Sequence, residues 1–148
     1  MYKYGVQTHS AEDRSHIRNF NLKYLALRCF ENLNVSDYRA ISFIERSDST
    51  EWTKKYVHNR SDRLSRIELY RSVNLEQSKL IGEIVPTYEE QFVFGDPVPR
   101  SVTVYAWTAS RYGTKTVTIG DELVTGTHHQ SRDFDSQEKA MEWIESIH

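Results

Sequence analysis

Hydrophobic residues follow two different periods along the chain. Near the N-terminus, Ile17, Phe20, Tyr24 and Leu27 recur three or four positions apart, and Leu22, Leu25 and Cys29 widen the stripe. Ser10, Glu12 and Asp13 precede it. A hydroxyl can cap an orphan N–H, and acids favour the positive end of a helix dipole. Together these predict a helix from about Ser10 to Glu31, closed by Asn32 and Asn34. Ser36-Asp37 offers a second cap before Tyr38, Ala40, Ile41, Phe43 and Ile44, read as a short helix with a strand as the alternative. Ser47-Asp48-Ser49-Thr50 would cap a third helix from Glu51 to about Asn59, with Trp52 and Tyr56 one turn apart.

From Ser65 the period falls to two. Ile67, Leu69 and Val73 alternate with Glu68, Tyr70 and Ser72, the pattern of a half-buried strand over Arg66–Val73. After a turn at 74–78, Lys79–Val85 is a strand that Pro86 ends or confines to an edge. Tyr88–Phe94 alternates again, and Gly95-Asp96-Pro97 is a turn. Ser101–Tyr112 is the longest candidate, with Val102, Val104 and Ala106 on one face and Thr103, Tyr105 and Trp107 on the other. Turns at Tyr112-Gly113-Thr114 and Gly120-Asp121 lead into Lys115–Ile119 and Glu122–Thr127. Asp135-Ser136-Gln137-Glu138 resembles a capping box. Ala140, Trp143, Ile144 and Ile147 then fall at i, i+3, i+4 and i+7, an amphipathic helix lying on the sheet.

This order predicts an α+β fold in a single domain, residues 1–148. A helical N-terminal part of about residues 10–60 precedes an antiparallel β-meander of about five strands and a C-terminal amphipathic helix packed on the sheet, residues 65–148. No repeat, low-complexity tract or linker interrupts it.

Composition adjusts the picture in three ways. With 148 residues the chain is near the commonest domain size, and its nine Tyr, six Phe and three Trp supply packing area that a modest aliphatic content does not. The single cysteine, Cys29, excludes an internal disulfide. It sits between Leu27 and Phe30 as a small hydrophobe, and a reducing, cytoplasmic location is expected. Neither a signal peptide nor a membrane span is expected from the residues present. The net charge of −2 conceals segregation: residues 54–71 carry six basic and two acidic side chains, whereas residues 72–148 carry six basic and twelve acidic.

No phosphate-binding glycine loop is present, so nucleotide binding of either common type is not expected, and no cofactor is expected. The six histidines show no metal-ligand spacing. Adjacent His128 and His129 would point to opposite faces of a strand, so no metal site is assigned. His129-Gln130-Ser131 places a His and a hydroxyl on one side of a strand, half of a two-armed phosphodiesterase arrangement. His58 beside Lys54, Lys55 and Arg60 is another acid–base candidate. No paired carboxylates sit in an expected apolar pocket, and no catalytic residue is assigned.

Two surfaces are candidates for binding. Tyr105, Trp107 and Tyr70 form an aromatic sheet face suited to a protein partner, unless helices cover it. Trp52, Lys54, Lys55, Tyr56, His58, Arg60, Arg63 and Arg66 interleave cations with rings, as single-stranded nucleic acid binding requires. The plainer alternative is a solvated basic loop with Trp52 and Tyr56 facing the core. The leading expectation is a small non-enzymatic binding or regulatory protein acting through a protein–protein contact, of the kind by which viruses and mobile elements modulate host factors. RNA or DNA binding through residues 52–71 is the first alternative. A phosphodiesterase-like hydrolase using His129 or His58 is the second.

Overall fold

The computed structural model describes residues 2–47, 52–59, 63–72 and 78–146, without the side chains of residues 114–117, 125, 127 and 128. Among the described residues it contains eight strands, two α-helices and one 3-10 turn. The chain gathers into two compact units, one up to Leu80 and one from Ile81 onward.

The first unit is mostly strand, which corrects the expectation of a helical N-terminal part followed by about five strands. Strands β1 (Tyr4–His9) and β2 (Ser15–Phe20) form a hairpin, and helix α1 (Lys23–Asn32) follows. Then come β3 (Ala40–Arg46), β4 (Trp52–His58) and β5 (Leu64–Ser72). The antiparallel order is β2-β1-β3-β4-β5.

Only Lys23–Asn32 of the expected first helix is helical. Ser10 does not cap it. Instead its hydroxyl accepts from the Arg14 N–H at 3.1 Å, closing the β1–β2 turn. The expected helices over 38–44 and 51–59 are strands β3 and β4. Alternation explains both: Ile41 and Phe43 stand on the α1 side of the sheet, and so do Trp52, Tyr56 and His58.

Helix α1 has no side-chain N-cap bond, and at ten residues it is too short to persist alone. Packing holds it. Ala26, Val6 and Phe43 form a buried cluster, and Tyr4, Phe20, Leu27, Phe30 and Tyr56 close around it. Phe43 lies at its centre, 6.1–6.4 Å from the rings of Phe30, Tyr4 and Tyr56. Aromatic area replaces aliphatic area here, as the composition leads one to expect.

The second unit is a three-stranded antiparallel ladder, β6 (Ser78–Gln91), β7 (Ser101–Ile119) and β8 (Glu122–Phe134), with helix α2 (Gln137–Glu145) against it. Two expected interruptions do not occur. Pro86 lies inside β6 opposite Trp107, with a register shift just beyond it between Thr87 and Tyr88. Gly113 continues β7 opposite His128. The turns at Gly95 (φ 89°) and Gly120 (φ 63°) do occur, where a residue without Cβ relieves left-handed strain.

Helix α2 agrees closely with its sequence signals. The Ser136 hydroxyl accepts from the Lys139 N–H at 3.2 Å, and Ala140, Met141 and Ile144 are buried. Beneath Ile144 lies Gly82 of β6. A Cβ at Gly82 would stand 2.6 Å from Ile144 Cγ2 and 2.9 Å from the Ser110 carbonyl oxygen. The helix therefore rests where β6 has no side chain. Arg111 completes the seat: its guanidinium stacks 3.9 Å from the Trp143 ring centroid and donates to the Trp143 carbonyl at 3.1 Å and to Gln130 Oε1 at 2.7 Å.

Candidate functional site

At one end of the first unit the β1–β2 turn, the start of β3 and the β4–β5 turn meet around a cleft of about 350 Å³. His9 and Ala40, paired across β1 and β3, form part of its wall. Asp13 enters from the turn with φ 60°, a left-handed conformation that Asp and Asn tolerate better than most residues. Arg39 is fixed through its backbone, whose N–H donates to the His9 carbonyl at 2.8 Å, and its Nη1 donates to Asp13 Oδ1 at 2.7 Å.

The opposite wall depends on a β-bulge. Val57 pairs with Arg66 but His58 pairs with Leu64, so Ser65 has no opposite number. Bulges re-aim side chains, and Ser65, Arg66, His58 and Asn59 all line the cleft. The His58 ring packs edge-on against Phe30 at 4.9 Å. Arg66 Nε donates to Glu68 Oε2 at 3.2 Å, and the Tyr70 hydroxyl donates to the other Glu68 oxygen at 3.1 Å.

The basic segment is distributed between both faces of the sheet. Trp52, Lys54, Tyr56 and His58 are on the α1 side, while Lys55 and Arg66 are on the other, with Glu68. Tyr56 packs against the core cluster, and the Arg71 guanidinium sits 5.6 Å from the Trp52 ring centroid. Burial pulls the Lys55 pKa below its ordinary value; Glu68 opposes that shift and Arg66 adds to it. Arg63 is half-buried at the β4–β5 turn, and Arg60 lies outside the described residues. The expected nucleic-acid residues are thus divided: His58 and Arg66 both line the cleft but from strand positions on opposite faces, and Lys54 and Lys55 likewise point to opposite faces.

In the second unit Trp107 is on the face of β7 that carries α2, and Tyr105 is the extra residue of a bulge, since Ala106 pairs with Thr87 and Val104 with Tyr88. Trp107 is half-buried opposite Pro86 and Phe134, and Tyr105 is 73% exposed. Tyr70 belongs to the first unit, where its hydroxyl is engaged by Glu68. A neighbouring feature that the sequence reading assigned to strand and turn is the β6–β7 connection. Phe92, Phe94 and Val98 are exposed there, Phe94 at 106% of its reference area. Its sequence signal is a cluster of apolar residues around the Gly95-Asp96-Pro97 turn, unusual where chains mostly place polar residues.

His129 and Ser131 do share one face of β8, the one away from α2, as their spacing requires. His129 stands opposite Tyr112, with ring centroids 5.3 Å apart. The Tyr112 hydroxyl donates to Glu83 Oε2 at 3.3 Å, and burial, then the Glu83 charge, raise its pKa above the ordinary phenol value. Thr108 Oγ1 donates to Asp133 Oδ1 at 2.6 Å in the same row. His129 is in the second unit and His58 in the first.

Among the described residues no three His, Cys, Asp or Glu side chains converge as metal ligands, and no helix is long and apolar enough to cross a membrane. Comparison with protein-family models, with curated proteins and with solved structures finds no match to this chain.

Proposed function

We propose that the protein is a non-enzymatic binding protein of the cytoplasm that engages a protein partner through the β6–β7 end of its second unit. The carrying observation is the exposure of Phe94, with Phe92, Val98 and Tyr105 also open to solvent. Large rings in water mark a surface that another molecule covers, and aromatic anchors dominate the energetics of protein interfaces. Charge argues for the kind of partner. Residues 81–148 carry five basic and eleven acidic side chains, a net −6, which repels nucleic acid and anionic lipid and suits a basic protein surface with an apolar pocket. The cytoplasmic setting rests on Cys29, a free thiol packed beside the core cluster.

The test compares the wild type with Phe94→Asp as bait in nuclease-treated lysate, with Lys54→Glu/Lys55→Glu as a second bait. Phe94 contributes almost nothing to the folded interior, so Phe94→Asp should melt like the wild type. The proposal requires a partner that survives nuclease, is lost with Phe94→Asp and is kept by the lysine variant. Partners that vanish with nuclease would replace it with the nucleic-acid reading, and nuclease-resistant partners that ignore Phe94 would refute this surface.

A further inference from the structure

We propose that the cleft of the first unit binds a small phosphate monoester, held by Arg39 and Arg66 with His9 and Ser65 as further donors. Its volume of about 350 Å³ lies at the small end of the range for ligand sites, roughly 300–1,000 Å³. Its polar lining consists mostly of groups that donate to an oxyanion. Two guanidinium forks match the geometry of phosphate oxygens, and imidazole and hydroxyl groups add single donors. Against them stand Asp13, the one carboxylate among the described lining residues, and Glu68, which takes the Arg66 Nε and leaves its terminal amino groups. The surrounding unit is positive as well: residues 1–80 carry 14 basic and 10 acidic side chains, a net +4, so the field around the cleft attracts anions.

Asp13 is the informative residue. It holds Arg39 by one contact at 2.7 Å, and the two side chains are 81% and 66% exposed. A pair so open to water is held only weakly. A guanidinium has five N–H donors, so one contact leaves the rest of the Arg39 fork for a second anion. Asp13 thus keeps Arg39 at the mouth of the cleft, and a phosphate bound there would share the guanidinium or displace the carboxylate. A nucleic-acid strand fits less well: the described lining includes no Phe, Tyr or Trp ring on which a base could stack. This inference is independent of the Phe94 surface, which belongs to the other unit.

The full chain is titrated with inorganic phosphate, phenyl phosphate and acetate at constant ionic strength, following amide and imidazole resonances by NMR. Saturable shifts at His9, Ala40, His58 and Ser65 are expected with both phosphates and not with acetate. Arg39→Gln and Arg66→Gln should each weaken binding about tenfold or more. Asp13→Asn should tighten it several-fold, because it removes the competing charge while Asn keeps the left-handed turn. Tighter binding of phenyl phosphate than of inorganic phosphate would identify an organic monoester as the ligand, and equal binding the free anion. Shifts that do not saturate, equal response to acetate, or weaker binding by Asp13→Asn would overturn the proposal. Asp13→Asn and Arg39→Gln alter exposed side chains, so the test stands even if Arg66→Gln fails to fold.

Discussion

Gly82→Ala is the smallest change that should unseat α2. The added methyl carbon would lie 2.6 Å from Ile144 Cγ2, 3.0 Å from Ile144 Cδ1 and 2.9 Å from the Ser110 carbonyl oxygen. Carbon–carbon contacts are most favourable near 3.5–4.0 Å, so the nearest of these sits about an ångström inside its optimum. Ile144 cannot easily yield, because it is fully buried and its Cγ2 is bonded directly to Cβ. The Ser110 oxygen belongs to the β7 backbone. Either the helix lifts or the ladder shifts, and inserting a methyl into a packed core costs about 1–3 kcal/mol. For a chain of 148 residues, at roughly 2–4 °C per kcal/mol, the midpoint should fall by about 2–12 °C in a thermal melt. A double-mutant cycle isolates the cause. Ile144→Ala alone should cost about 2–5 kcal/mol. With Ala at position 82 it should cost at least about 0.5 kcal/mol less, since the clashing methyls are gone. An unchanged melt for Gly82→Ala, or strictly additive single effects, would refute this account of the helix seat.

Two further outcomes follow from buried polar groups. Ser42 is wholly buried in β3, and its hydroxyl has no hydrogen-bond partner among the described residues. Ser42→Ala should therefore be neutral or stabilise by up to about 1 kcal/mol in denaturant unfolding, and a clear loss of stability would show that the hydroxyl is satisfied. Tyr112 keeps its proton above the ordinary phenol range in the folded state, so its contribution is complete below that range and is lost as pH rises through the elevated folded value. An absorbance titration of tyrosinate, compared with Tyr112→Phe to identify the phenol, should show it ionising late, and Glu83→Gln should bring it down. A Tyr112 titration indifferent to Glu83→Gln would sink the assignment.

Legibility of the fold in the sequence varied along the chain for physical reasons. Helix α2 was plain because cap, period and burial agree: Ser136 caps, and Ala140 and Ile144 face the sheet. The strands after Ser65 were visible because period two has no helical counterpart over such lengths. Trp52 and Tyr56 misled because residues four apart share a face in a strand as well as in a helix. The stripe from Ile17 to Leu27 is a coincidence of spacing across a boundary. Ile17 lies exposed on β2, Phe20 ends that strand, and Leu27 belongs to α1. Of the two readings of Pro86, as a stop or as a mark of an edge strand, the stop is wrong, because a strand can continue past a residue that lacks one ladder donor.

The cleft was illegible for a different reason. His9 and Arg39 meet through the pairing of β1 with β3, and His58 and Arg66 through a bulge, and local sequence encodes neither. Expected site residues taken from one contiguous segment, 52–71, therefore named only His58 and Arg66 of its described lining. Likewise the exposure of Phe94 depends on a connection that turns away from the ladder, whereas alternation alone suggested that it continued a strand.

The β7–β8 hairpin offers a practical handle. Its turn, Gly120-Asp121, lies at the opposite end of β7 from the Phe94 connection, and Ile119 and Leu123 beside it are open to solvent. Foreign sequence is best accommodated at exposed tips of this kind, where doubling a flexible loop adds only about 0.6 kcal/mol of closure entropy. An epitope or immobilisation peptide spliced between Gly120 and Asp121 would tether the protein by one end of its second unit and present the aromatic end outward.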